Sequence, residues 1–101
     1  MRNEVYQADL PELPATLQKA LDKLKPFFKS DPHQLGGYLP SHKLTGKLAG
    51  FRAAEIDWGL RESYRLVYRI QDKPAPRTVW IYSFAEHDLA YERAQLRRKR
   101  R

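Results

Sequence analysis

The chain has no cysteine, which excludes a disulfide framework, a thiol nucleophile and any zinc site built on thiolates. Long apolar runs are also missing. No stretch approaches the roughly 20 residues that cross a bilayer, and the opening segment MRNEVYQADLPELP lacks the apolar core of a secretory signal. No repeat or low-complexity linker divides the sequence. Acidic residues are outnumbered: 12 Asp+Glu stand against 19 Lys+Arg, for a net charge of +7. Such an excess points to a polyanionic partner, whether nucleic acid, an acidic protein or an anionic surface. Six of the basic residues fall in the last nine positions, Arg93 to Arg101. That run reads equally well as a solvated tail and as a contact surface. A length of 101 residues, 42% hydrophobic, suits one compact core. The expectation is a single soluble, cytoplasmic domain over residues 1–101 with a basic tail at about 93–101 and no membrane partner.

Periodicity supplies the elements. Residues 3–8 suggest a short first strand through Val5 and Tyr6. Leu13, Leu17, Leu21, Leu24 and Phe28 recur at spacings of three and four, which predicts an amphipathic helix. Pro26 should kink that helix or end its regular part. Residues 31–41, DPHQLGGYLPS, form a connector in which His33 reads as an ordinary exposed histidine. Ser63 to Ile70 alternates, with Tyr64, Leu66, Tyr68 and Ile70 on one face and Arg65, Val67 and Arg69 on the other. Gly50 to Ile56 should pair with it across the turn-prone Asp57-Trp58-Gly59. The segment QDKPAP reads as a hairpin loop, followed by a nearly continuous apolar strand, Thr78 to Tyr82, expected to be central with Trp80 in the core. Ser83 and Glu86 have capping-box spacing ahead of a C-terminal helix with Leu89 and Leu96 on its apolar side. The fold class is therefore α+β: a small, mostly antiparallel sheet of three to four strands, with an N-terminal helical segment packed on it and a C-terminal helix.

The motif that carries a resemblance runs from His42 to Ile70. His42-x-Leu44-x-Gly46-x-x-x-Gly50-Phe51-Arg52-x-Ala54-Glu55-Ile56, then Tyr64-Arg65-Leu66-Val67-Tyr68, then His87-Asp88 and Tyr91, resembles the RelE/ParE superfamily, the toxin halves of type II toxin–antitoxin modules. The first run is most similar to the YafQ branch, YRLVY to the signature strand of RelE and YoeB, and His87 to the C-terminal catalytic histidine of YafQ and YoeB. The similarity covers about residues 14–92. It implies a RelE-like fold and an mRNA interferase that cuts translated messenger in the ribosomal A site, with no metal or other cofactor. It further implies mRNA, the ribosome and a neutralising antitoxin as partners. The sequence departs from RelE itself, whose strand matching Phe51–Ile56 carries two lysines; here Arg52 is basic but Ala54 and Glu55 break the pair. YafQ has a histidine where this chain has Glu55. A histidine/glutamate chemistry is implied instead.

RNA cleavage of this kind needs a base for the 2′-hydroxyl, an acid for the leaving 5′-oxygen and positive charge at the phosphate. His87 is the first candidate acid or base, since imidazole titrates near neutrality. On its own it reads as a helix-terminal histidine bonded to Asp88 or to the backbone; the resemblance reverses that preference. His42 is the second, with Glu55 as a base or an orienting carboxylate. Arg65 is the candidate phosphate clamp, the alternative being a salt bridge to Glu55 or Glu62. Arg52, Arg69, Lys43 and Lys47 would extend the RNA contact. Tyr91 and Phe84 are candidate stacking groups, though Phe84 reads better as core. Trp58 reads as packing. A gyrase-directed ParE-type toxin, a non-catalytic basic RNA- or ribosome-binding module and a degenerate toxin remain alternatives. The basic C-terminal helix and the sheet edge are the expected antitoxin contacts.

Overall fold

A computed structural model describes residues 5–37, 39–56, 63–73 and 76–98. Four strands, β1 (Ser41–Lys43), β2 (Arg52–Ile56), β3 (Tyr64–Gln71) and β4 (Thr78–Glu86), form one antiparallel sheet in the order β1-β2-β3-β4. The helices α1 (Ala15–Ser30) and α2 (His87–Arg97) flank it. The α+β class is as the alternation and helical spacing predicted.

The sheet has two chemically different faces because β3 alternates. Its even-numbered residues, with Ala54 and Ile56 of β2 and Ile81 and Phe84 of β4, join the α1 stripe of Leu17, Leu21, Leu24 and Phe28 in the larger core. Tyr68 is fully buried there, its ring edge-on to Phe28 at 4.9 Å. Its hydroxyl donates to the Pro32 carbonyl and bonds Ser41, so the polar tip is satisfied. The opposite face carries Val67, Tyr82 and Ala85, covered by Ala90 and Ala94 of α2 and by Leu48 and Phe51 of the β1–β2 loop. A bulge in β4 at Tyr82 places both Tyr82 and Ser83 against Val67. The glycines of the motif shape the covering loop. Gly46 (φ 64°) and Gly50 (φ 92°) occupy the left-handed region at either end of a single helical turn, Gly46–Leu48. That turn sets Leu48 and Phe51 onto the sheet.

Five expectations change. Val5–Asp9 is a π-helical turn rather than a strand; its Asp9 carboxylate binds the sheet edge, whereas a strand would have paired there through its backbone. The helix α1 runs through Pro26 to Ser30, because Pro26 and Asp22, whose carbonyl loses its partner, both sit on the exposed side, while Phe27 and Phe28 stay packed. The strand β4 lies at the edge of the sheet, not its centre, and its outer half-exposed residue is Trp80, 40% accessible. Ser83 belongs to that strand and donates to the Ala90 carbonyl at 2.7 Å, so it caps nothing. Of the two leucines expected on the apolar side of α2, Leu89 packs on the Val67 cluster but Leu96 is exposed; the fully buried face is Ala90, Ala94 and Arg97. Small residues let α2 approach the sheet closely, which its weak leucine pattern concealed. The turn at Asp57-Trp58-Gly59 and Glu62 lie outside the described residues.

The outer edge of β4 is closed by ionic groups. The buried Asp9 carboxylate accepts the Phe84 amide at 2.7 Å, while Arg97 donates to the Tyr82 carbonyl at 2.9 Å. Arg97 also holds Asp9 bidentately at 2.8 and 2.9 Å, and Arg93 reaches Asp9 at 2.7 Å and Glu12 at 3.1 Å. Burial works against the Arg93 charge, but the hydrogen bond to Glu12 and the charges of Asp9 and Glu12 outweigh it and hold its pKa above the usual arginine value. Two arginines of the basic C-terminal run thus point inward. Removing one partner of a buried ionic cluster costs about 3–5 kcal/mol. Asp9→Ala is therefore expected to lower Tm by more than about 12 °C, with Asp22→Ala, which removes an exposed pair with Lys25 at 3.4 Å, nearly silent; equal small shifts in thermal melts would contradict this.

Candidate active site

Strand register decides which predicted residues meet. Glu55 stands opposite Arg65, and Arg65 opposite Ala85, in one row across β2, β3 and β4. Their side chains bond: Arg65 Nη2 lies 3.2 Å from Glu55 Oε1, and Arg65 Nη1 donates to the Tyr64 carbonyl at 2.9 Å. The Arg65 side chain is 10% exposed and that of Glu55 33%. The salt-bridge alternative for Arg65 is thus realised, with Glu55 as its partner. His42 pairs with Ala53 on β1, which makes it the diagonal neighbour of Glu55 on the same face, roughly 7–8 Å away in Cα positions. Its side chain is exposed.

His87 opens α2 immediately after the row ends. Its amide donates to the Ser63 carbonyl at 2.8 Å, tying the helix start to the beginning of β3. Its ring bonds Asp88 through Nδ1 at 2.9 Å and stands edge-on to Tyr91 at 4.8 Å. One turn apart, His87 and Tyr91 share a side of α2, and Tyr91 packs on the cluster that covers Val67. His42, Glu55, Arg65, His87 and Tyr91 therefore belong to one side of the sheet.

The other basic candidates divide. Arg52 pairs with Tyr68 and so lies on the α1 face, where it donates to the His33 carbonyl at 2.7 Å, to the Ser41 carbonyl at 3.2 Å and to the Ser41 hydroxyl at 3.1 Å. Lys43, opposite Arg52, shares that face and is exposed. Neither stands with Arg65. Lys47 is exposed in the Gly46–Leu48 turn, beside Leu48 on the Arg65 side. Arg69 is exposed on the Arg65 face, four residues further along β3. Phe84 is fully buried in the α1 core and takes no part. Among the described residues, no group of three or more His, Cys, Asp or Glu side chains could hold a metal ion. No helix there is long and apolar enough to cross a membrane.

A cavity of about 440 Å³ lies elsewhere, at the α1–β4 margin, with Phe28, Val79 and Ile81 beneath and Lys25, Lys29 and Arg77 around it. The residues sequence reasoning missed are Asp9, Arg93 and Arg97. Their one legible sign is the four-residue spacing of the two arginines, which puts them on one helix face; Asp9 is over 80 positions away.

No protein-family model, curated protein or solved structure matches this chain.

The Glu55–Arg65 contact has a direct test. In a double-mutant cycle on chemical denaturation, Glu55→Gln and Arg65→Met should couple by about 1 kcal/mol, a value reduced by the solvent around Glu55. Additive effects would mean that the pair does not form.

Proposed function

We propose that this chain is the toxin of a type II toxin–antitoxin module, a cytoplasmic endoribonuclease that cuts translated messenger RNA without a metal. The observation that carries the reading is the collection of His42, Glu55, Arg65, His87 and Tyr91, distant in sequence, on one side of the sheet. In this mechanism a base takes the proton of a 2′-hydroxyl, the freed oxygen attacks the adjacent phosphorus, and an acid protonates the departing 5′-oxygen, leaving a 2′,3′-cyclic phosphate. Glu55 or His42 serves as base. His87 serves as the acid, its ring set by Asp88 and Tyr91. Arg65, rigid on its strand, supplies positive charge to the phosphate, and Tyr91 offers its ring to a neighbouring base.

One observation favours a second reading. Arg65 is mostly buried and already engaged by Glu55 and the Tyr64 carbonyl, as in a structural ion pair. A non-catalytic basic module that binds RNA or the ribosome would need nothing more from it.

Induction of the chain in a bacterium, wild type beside His87→Ala, followed by primer extension on a long messenger, separates these readings. The nuclease reading predicts growth arrest with new 5′ ends, and a fall in cleavage of about 10²- to 10⁴-fold in the variant. Arrest without cleavage would indicate a gyrase-type target. Cleavage unchanged by the substitution would remove His87 from the mechanism.

A further inference from the structure

Trp80 is an anomaly of the sheet. Among the described residues it is one of three large apolar side chains left in solvent, 40% exposed, on a strand whose neighbours Ile81 and Tyr82 are buried. Its backbone partner is Arg69, and directly opposed residues on adjacent strands bring their Cβ atoms to roughly 4.5–5.5 Å. The indole is not loose. Its Nε1 donates to Gln71 Oε1 at 3.2 Å, a diagonal contact that satisfies its one donor. Arg69 is exposed and, among the described residues, pairs with no carboxylate. The β3 alternation is unbroken from Arg65 through Val67 to Arg69, so this pair lies on the face of Glu55 and Arg65, roughly 13 Å along the strand from Arg65 at 3.3 Å per residue. The cover of Leu48, Phe51 and α2 over Val67 lies between them.

We infer that Trp80 and Arg69 form an outer stacking site for an unpaired nucleotide of RNA, rather than a protein contact. The site rests on the RNA-directed reading above. An exposed indole with its donor satisfied presents a π face, which every base can stack on without sequence preference. The adjacent guanidinium matches the phosphate that must accompany a stacked base, and the net charge of +7 suits a polyanion over a neutral partner. A duplex, with its bases already stacked, gains nothing from the indole.

The test uses the full chain carrying His87→Ala, so that the probe stays intact, and a labelled single-stranded oligoribonucleotide of about ten nucleotides. Trp80→Ala should weaken binding by about tenfold or more, as loss of one stacked base does. Trp80→Phe should keep most of the affinity, and duplex RNA should bind all three proteins alike. Arg69→Ala should reduce the slope of log affinity against log salt by about 0.7. RNA binding by the parent that Trp80→Ala leaves unchanged would overturn the stacking site while the RNA-directed reading stands. A parent that binds no RNA would overturn both. If Trp80→Ala changed only self-association in gel filtration, the patch would be a protein contact and the inference wrong.

Discussion

Asp9 is where the two ends of the chain meet. Its fully buried carboxylate takes four donors, from the Phe84 amide, Arg93 and twice from Arg97. A buried charge is tolerable only when it is paired and hydrogen-bonded, and here every requirement is met by elements remote in sequence. The same contacts answer the problem of an open sheet edge. Among the described residues no strand lies beyond β4, and Asp9 and Arg97 occupy polar groups that a further strand would otherwise pair. They also fix the far end of α2. With its start tied to Ser63 and its last turn tied to Asp9, the helix lies over the sheet in one position, and His87 and Tyr91 are placed by that constraint.

The division of labour between the faces follows from β3. Its even-numbered side chains make the core beneath α1, and its odd-numbered ones carry Arg65 and Arg69. A strand serving both purposes cannot slip by one residue without turning two guanidinium groups into the α1 core and moving Leu66 and Tyr68 out of it. Register is therefore strongly specified, and with it the opposition of Arg65 and Glu55. Gly46 and Gly50 add the cover: their backbone conformations, strained for other residues, fold Leu48 and Phe51 down onto Val67 and separate Arg65 from the exposed Trp80 end.

Much of this was legible in the sequence where periodicity speaks directly. The α1 stripe from Leu17 to Phe28 and the alternation of β3 specify both an element and its buried side. The Glu55–Arg65 pairing was one of two salt bridges open to Arg65, and antiparallel pairing of β2 with β3 puts the two residues opposite each other. What could not be read depended on distant contacts. Asp9 looks like any surface acid until Arg93 and Arg97 are placed beside it, and those arginines look like part of a charged tail. Trp80 sits in a run that scores as central strand, yet the bulge at Tyr82 and the edge position of β4 leave it outside the core. The face of α2 was legible only in part: Leu89 packs as expected, but Ala90 and Ala94 make most of the contact and Leu96 is exposed.

Residue-by-residue amide hydrogen exchange on the wild-type protein tests most directly whether the Asp9 cluster holds the structure together. The Phe84 amide is an outer-edge donor whose protection depends on Asp9, and the α2 amides depend on the helix remaining docked. Phe84 and the amides of α2 from Tyr91 onward are expected to exchange as slowly as the central β3 amides, through one cooperative opening. Rapid exchange at Phe84 and along α2, with β2 and β3 still protected, would show that the ends of the chain are not tied together by Asp9 and would contradict that expectation.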